Sequence, residues 1–183
     1  MADTALKPRQ PMDGRAAGSA NVSVRPAPDA SRLSLRARAD AVAALSKALG
    51  IALPVKPKTS VTKGTRTAFW LGPDEWLIVE EPGKDMVAEC TKSKVLHSAV
   101  DISQRNTAVI VSGKNAEGTL SAGCPQNLSV SAFPVGAVSR TLLGKVEVII
   151  HRTGADAFHV ECWRSFADYV FTYLSDAARD SAA

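Results

Sequence analysis

TRTAFWLGPDEWLIV, which spans residues 65–79, decides the fold class of this 183-residue chain. Two runs rich in β-branched and aromatic residues flank the turn-forming triplet GPD at 72–74, and this pattern is typical of a β-hairpin. A tryptophan stands on each side of the turn, at Trp70 and Trp76. The stretch therefore predicts two adjacent antiparallel strands near the middle of the chain.

The segments around this hairpin alternate between groups of strands and single helices. Apolar residues at a spacing of two predict strands, and apolar stripes at a spacing of three and four predict helices. Beyond the hairpin, strands are expected at 32–37, 95–101, 107–111, 138–143, 145–151 and 158–163, and helices at 40–49, 84–93, 115–122 and 166–178. This order predicts an α+β fold with an antiparallel or mixed sheet and helices on one face, rather than a doubly wound parallel fold.

Residues 1–30 differ in composition from the rest of the chain. They hold four of the ten prolines and few large apolar side chains, too few to offset the entropy lost when a segment becomes ordered. We therefore expect a flexible N-terminal arm at 1–30, which a partner protein can order, and a single α+β domain at 31–183.

Positive charge is concentrated in the first third of the chain. Up to Arg66 there are 12 Lys and Arg residues against four Asp residues. Nucleic acid attracts such a segment, but no aromatic residue precedes Phe69, and no helix-turn-helix, zinc-finger or ribonucleoprotein motif is present. We expect no nucleic-acid partner, because a basic segment lying on an acidic protein fits as well; nucleic-acid binding through the basic tail is the alternative.

Targeting signals and cysteine usage indicate a cytoplasmic protein. The N-terminus lacks a basic start followed by an apolar stretch, and no apolar run approaches the roughly 18 residues of a membrane span. The three cysteines, Cys90, Cys124 and Cys162, include no C-x-x-C pair. We therefore expect no membrane association, no disulfide framework and no structural zinc site.

Residues that could carry catalysis do not form a known motif. His97, His151 and His159 fall in predicted strands, at no spacing typical of a metal site. His151 and His159 can face each other across adjacent strands, although ordinary strand histidines would give the same pattern. Gly-x-Ser-x-Gly and glycine-rich phosphate loops are absent. We expect no catalytic residue, cofactor site or metal site on this chain.

Large aromatic residues surround an arginine where the last predicted strand meets the last helix. Trp163, Arg164 and Phe166 lie within four positions of one another. In a monomer such a cluster belongs to the core and the start of the helix, whereas at a protein interface tryptophan and arginine are typical anchors. Both interpretations are open, and the three residues are the candidate partner interface.

Six short motifs occur in the chain in a characteristic order. They are LGPDEWL at 71–77, VDISQRN at 100–106, AGCP at 122–125, AFPVG at 132–136, RTLLGK at 140–145 and ECWRSFA at 161–167. With these motifs the chain, from about residue 31 to 180, resembles the sarcosine oxidase gamma subunit family. That family is similar in fold to the folate-binding aminomethyltransferase of glycine cleavage.

The resemblance also implies a departure from folate chemistry. In the aminomethyltransferase, a strand that follows a glycine carries a pair of aspartates used in folate chemistry. The matching stretch here is GKVEVII at 144–150, in which Glu147 is an acid and Val148 stands where the second acid would be. A single strand carboxylate does not supply the function of the pair.

The resemblance implies an accessory subunit of a heterotetramer with alpha, beta and delta partners. In such complexes FAD, FMN, NAD, tetrahydrofolate and zinc belong to the other subunits. The complex oxidises sarcosine with oxygen and water to glycine, formaldehyde and hydrogen peroxide, or to methylenetetrahydrofolate when folate is present. The alternatives are a stand-alone folate-dependent one-carbon transferase, and a subunit of a related complex that oxidises dimethylglycine or N-methylglutamate.

Overall fold

The computed structural model describes residues 10–180, which form two antiparallel sheets and four α-helices. In chain order the strands are β1 (Ala17–Ser19), β2 (Val22–Pro26), β3 (Ser31–Ala37), β4 (Ser60–Lys63), β5 (Arg66–Gly72), β6 (Glu75–Glu80), β7 (His97–Asp101), β8 (Asn106–Ser112), β9 (Val138–Leu143), β10 (Val146–Gly154) and β11 (Ala157–Trp163). The helices are α1 (Val42–Leu49), α2 (Met86–Thr91), α3 (Ala116–Ser121) and α4 (Ala167–Asp180). Within this described part, no helix is both long and apolar enough to cross a membrane.

Strand order divides the chain into two sheets instead of the one that the sequence predicted. The larger sheet has the order β1-β2-β8-β11-β10-β9, and the smaller has the order β4-β5-β6-β3-β7. Every neighbouring pair is antiparallel. The predicted α+β class with antiparallel strands is confirmed, and the split into two sheets follows from pairing between strands distant in sequence.

The two sheets pack face to face, and each carries helices on its outer face. One core lies between the larger sheet and α3 and α4, where Val160 and Leu174 are fully buried. A second lies between the smaller sheet and α1 and α2, where Leu35 and Leu45 are fully buried. A third, smaller apolar cluster lies between the sheets and includes Phe69. The molecule is therefore layered as helices, sheet, sheet and helices.

The predicted hairpin forms strands β5 and β6 and is confirmed. Trp70 pairs with Trp76 across the turn, and the register shifts by one residue before Gly72. The ring of Trp76 is 1% exposed, and its Nε1 donates a hydrogen bond of 2.7 Å to the carbonyl oxygen of Pro54. A buried indole needs such a partner for its N–H group, and here the bond holds the segment after α1 against the smaller sheet.

Residues 10–30, the larger part of the expected flexible arm, are folded in the structure. Strand β2 pairs with the edge of β8, and Val22 and Val24 are buried against the helices, as is Met12. The prediction differs because two valines at a spacing of two are enough to add a strand when a free sheet edge completes their hydrogen bonds. Residues 1–9 of the expected arm lie outside the described part.

Candidate functional site at the edge of the inter-sheet layer

The layer between the two sheets has an apolar centre. Phe69 and Leu77 of the smaller sheet meet Val138 and Ile149 of the larger sheet, and Ile102 closes the cluster. Because side chains alternate along a strand, residues next to these in sequence face the helices instead. The polar groups of the layer lie on either side of this centre.

A buried ion pair joins the two sheets beside the apolar centre. Arg32 Nε of β3 lies 2.8 Å from a carboxylate oxygen of Glu161 in β11, and the two side chains are 4% and 1% exposed. His159 Nε2 lies 2.8 Å from the other carboxylate oxygen. Burial opposes ionisation of Glu161, but the hydrogen bond from His159 and the charge of Arg32 hold the pKa of its carboxyl below the ordinary value. The carboxylate therefore stays charged and fixes both partners.

The two histidines expected to face each other do so. His151 of β10 is directly opposite His159 of β11, while His97 lies in the edge strand β7 of the other sheet. The hydroxyl of Ser60 donates its one hydrogen to the carbonyl oxygen of Gly136, at 2.6 Å. His151 Nε2 lies 3.1 Å from the same hydroxyl oxygen, so in this second hydrogen bond the imidazole is the donor. Burial, helped by the nearby His159, lowers the pKa of His151 to about 4.

His151 connects the two sheets, while His159 contacts Glu161 of its own strand. His151 also packs against the ring of Phe69, with 4.9 Å between centroids. Among residues 10–180, no group of three or more histidine, cysteine or acidic side chains is arranged to hold a metal ion. The geometry allows a neutral imidazole to bridge the sheets through Ser60, which is a structural role.

At the opposite end of the layer, the carboxylate of Glu147 faces solvent and Val148 does not face the layer. The Glu147 side chain is half exposed and lies 4.0 Å from Arg140 Nε. Val148 is 1% exposed and belongs to the core against the helices. The cavity beside these strands measures about 40 Å³, which holds only a few water molecules, because Leu71 and Ile149 line it.

The predicted interface residues lie at the same end of the layer as Glu147. Trp163 and Phe166 are 43% and 39% exposed, and their rings stack with centroids 6.0 Å apart. The guanidinium of Arg105 lies 5.2 Å from the centre of the Trp163 ring. Arg164 instead turns toward the N-terminal segment, where its NH1 atom donates to Gln10 Oε1 at 3.3 Å. The structure thus brings two of the three predicted residues together on the surface.

Sequence reasoning missed two members of this surface, Leu142 and Arg105. Leu142 of β9 is opposite Glu147 of β10 and is 48% exposed. From the register of β10 and β11, Glu147 is in turn level with Trp163, so Leu142, Glu147 and Trp163 form one row across three strands. The alternation of apolar and polar residues in β9 indicates on which face of the strand Leu142 lies. Its place in the row depends on the order of the strands in the sheet, which the sequence does not give. We call Leu142, Trp163 and Phe166 with Arg105 the aromatic edge.

Comparison with protein families gives a match over most of the chain. A family model described as "Sarcosine oxidase, gamma subunit family" matches residues 36–180. The sarcosine oxidase subunit gamma of Corynebacterium sp. (strain P-1) is 30% identical over 145 residues, which cover 77% of this chain and 71% of that protein. The subunit gamma of Corynebacterium sp. (strain U-96) is 27% identical over 172 residues, or 91% and 84% of the two chains.

Solved structures share the fold. A chain of heterotetrameric sarcosine oxidase from Corynebacterium sp. U-96, in complex with pyrrole 2-carboxylate, is 24% identical and aligns with a TM-score of 0.88 over 96% of this chain and 97% of that chain. Glycine cleavage system aminomethyltransferase T from Bartonella henselae is 15% identical and aligns with a TM-score of 0.62 over 89% of this chain and 50% of that chain. The expected likeness to the aminomethyltransferase fold is confirmed.

Proposed function

The chain belongs to the sarcosine oxidase gamma subunit family, and on that premise we propose that it is a non-catalytic accessory subunit of a heterotetrameric sarcosine oxidase. The observation that carries this proposal is the exposed aromatic edge at one end of the inter-sheet layer. Exposed stacked aromatics are typical of a surface that a partner covers.

In the proposed complex the chemistry belongs to the other chains. The alpha, beta and delta subunits would hold FAD, FMN, NAD, tetrahydrofolate and zinc, and the assembly would oxidise sarcosine to glycine, formaldehyde and hydrogen peroxide, or to methylenetetrahydrofolate, in the cytoplasm. A complex acting on dimethylglycine or N-methylglutamate is the variant of this proposal, because an accessory subunit, as proposed here, does not select the substrate.

We place the partner contact at the aromatic edge. Trp163 and Phe166 present a stacked apolar face, Leu142 extends it along the row of strands, and Arg105 covers one ring. Arg164 is kept in the proposal as the residue that ties this edge to the N-terminal segment. Tryptophan and arginine at the centre of such a surface contribute most of the binding free energy at protein interfaces.

Native mass spectrometry of the co-expressed proteins tests the assignment. The chain is expressed with and without the large-subunit genes next to its own, and the products are weighed intact. We expect a stoichiometric complex in which flavin is released only from the other chains. A stable monomer that ignores those chains would overturn the accessory role.

The likeness to aminomethyltransferase T favours a second candidate, a stand-alone folate-dependent one-carbon transferase. Against it stand the lone carboxylate of Glu147 and the position of Val148, which is buried against the helices. Calorimetry with tetrahydrofolate decides between the two. Saturable binding by the purified chain would favour the transferase, and no heat at high micromolar ligand would remove it.

A further inference from the structure

A second surface, on the helix side of the hairpin, is apolar and open. It is a groove of about 570 Å³ whose walls come from the start of α1, the segment after α1 and the β5–β6 turn. Its lining residues include Val42, Val55, Pro57, Trp70 and Pro73. Val55 is 66% exposed, and with the other lining residues it forms a contiguous apolar surface, which is typical of an interaction site.

The wall formed by residues 54–59 is held in place by hydrogen bonds. Trp76 Nε1 donates to the Pro54 carbonyl oxygen at 2.7 Å, and the amide of Trp70 donates to the Thr59 carbonyl oxygen at 3.1 Å. Lys58 adopts a left-handed conformation with φ of 60°, which costs a non-glycine residue free energy. The wall is therefore fixed before any ligand arrives, which lowers the entropy lost on binding.

Positive charge surrounds this groove. Arg38, Lys56 and Lys58 are exposed and flank its lining residues, and among residues 10–180 none of the three has an ion-pair partner within 4.0 Å. The exposed acids nearby are Asp40, at the start of α1, and Asp74, which lies 3.9 Å from Arg36. The net charge of the side chains around the groove is positive, so their electrostatic field favours an acidic ligand.

We infer that this groove, defined by Val42, Val55, Pro57, Trp70 and Pro73, binds an extended acidic segment of a partner subunit. An aromatic and proline-lined trough accepts extended chain without requiring a helix or a strand edge, and the lysines select carboxylates beside the apolar contacts. The inference rests on the proposed accessory role. Beside the aromatic edge, it adds a second contact with a partner subunit, in which the groove binds apolar and acidic side chains.

Zero-length cross-linking of the full complex tests the contact. A water-soluble carbodiimide joins a lysine amine to a carboxylate that touches it, and peptide mass spectrometry locates the bond. We expect Lys56 or Lys58 to be joined to aspartate or glutamate within one segment of another subunit. Lys92 and Lys94 are the control, since they are also exposed and Lys94 is also left-handed, with φ of 57°. Equal yields from both pairs, or none from Lys56 and Lys58, would overturn the inference.

Charge reversal gives an independent readout. Lys56→Glu with Lys58→Glu is expected to weaken assembly about tenfold or more at low salt, because like charges then face the acidic segment. Lys92→Glu with Lys94→Glu changes the net charge equally and should leave the affinity unchanged. If the complex forms but both variants assemble like the wild type, the groove assignment fails and the accessory role stands; if the wild-type chain joins no complex, both fail.

Discussion

At the residue scale, the unusual feature is an ion pair that water hardly reaches. Arg32 and Glu161 are 4% and 1% exposed and link the two sheets, and His159 shares the carboxylate. The alternating sequence at 32–37 predicted a half-buried strand, and by itself it gave no reason to bury the arginine. The arginine is buried because the second sheet covers the polar face of β3 and supplies the matching carboxylate.

This arrangement predicts a strong and non-additive effect of mutation. Glu161→Leu leaves the Arg32 charge buried without its counter-charge, and we expect a loss of roughly 3–5 kcal/mol in the free energy of unfolding. Arg32→Met combined with Glu161→Leu removes both charges and should recover a large part of that loss. Urea unfolding of the wild type, both single variants and the double variant measures the coupling. A double variant as unstable as the sum of the singles would contradict it.

The depressed pKa of His151 predicts that stability depends on pH. Its pKa of about 4 in the folded chain lies below the ordinary value of about 6.5, so the unfolded chain binds the proton more tightly and stability falls as pH drops through this window. Between pH 7 and pH 5 the loss from this residue is about 2 kcal/mol.

The matched variant is His151→Gln, which does not titrate and still offers a donor to Ser60. We expect urea unfolding of this variant to show a difference between pH 7 and pH 5 that is smaller than in the wild type by that amount. Glu161, whose folded pKa is also lowered, loses its contribution only at more acidic pH, so it does not mask the result. An unchanged pH dependence in the variant would show that His151 is solvated.

At the scale of helices and strands, the sequence correctly predicted those elements that interactions between residues close together in the chain determine. The GPD turn and the β-rich runs beside it specify β5 and β6, and the stripe of Val170 and Leu174 specifies α4. Strand β2 was missed because Val22 and Val24 stand among prolines and polar residues, and only the edge of β8 makes them part of a core. The composition of a segment indicates how much apolar surface it can bury, but it does not indicate which free sheet edge the segment will pair with.

Because strand β2 is part of the core, a substitution of a buried residue in it should lower the free energy of unfolding. The same substitution in a flexible arm would have no such effect. Val24 is fully buried, and Val24→Ala should lower the free energy of unfolding by about 2 kcal/mol through lost burial and a small cavity. Ser23→Ala, next to it on the other face of the strand, should stay within about 0.5 kcal/mol of the wild type. Urea unfolding measures both; two neutral substitutions would show that this segment does not contribute to the core.

At the scale of the whole molecule, two sheets in contact explain both the likeness to a folate-binding fold and the proposed loss of its chemistry. Phe69, Leu77 and Ile149 fill the centre of the layer, and the cavity at the end that carries Glu147 is about 40 Å³, whereas the cavity at the end that carries His151 and His159 is about 550 Å³. The sequence predicted one sheet, so neither this layer nor the row of Leu142, Glu147 and Trp163 was predictable. The sequence left open whether Trp163 and Phe166 belong to the core or to an interface, and the structure exposes 43% and 39% of them.

The last prediction concerns the aromatic edge and the binding of the chain to its partner subunits. Trp163→Ala should weaken binding of the chain to its partner subunits by at least about 2 kcal/mol, or roughly thirtyfold, because a central tryptophan anchor is lost. Leu142→Ser should weaken it less. Both residues are about half exposed, so the variants should still fold, and urea unfolding of the same variants separates lost binding from lost folding.

The controls for this prediction lie away from the edge. Val130→Ser alters an equally exposed aliphatic residue, 56% accessible, in the segment between α3 and β9, and should assemble normally. Alanine at His97, His151 or His159 should also cost less affinity than Trp163→Ala, because none of these rings belongs to the aromatic edge. Affinity is measured by titrating the labelled chain into the remaining subunits. A histidine variant that binds as weakly as Trp163→Ala, while still folded, would move the interface from the aromatic edge to the strands that carry that histidine.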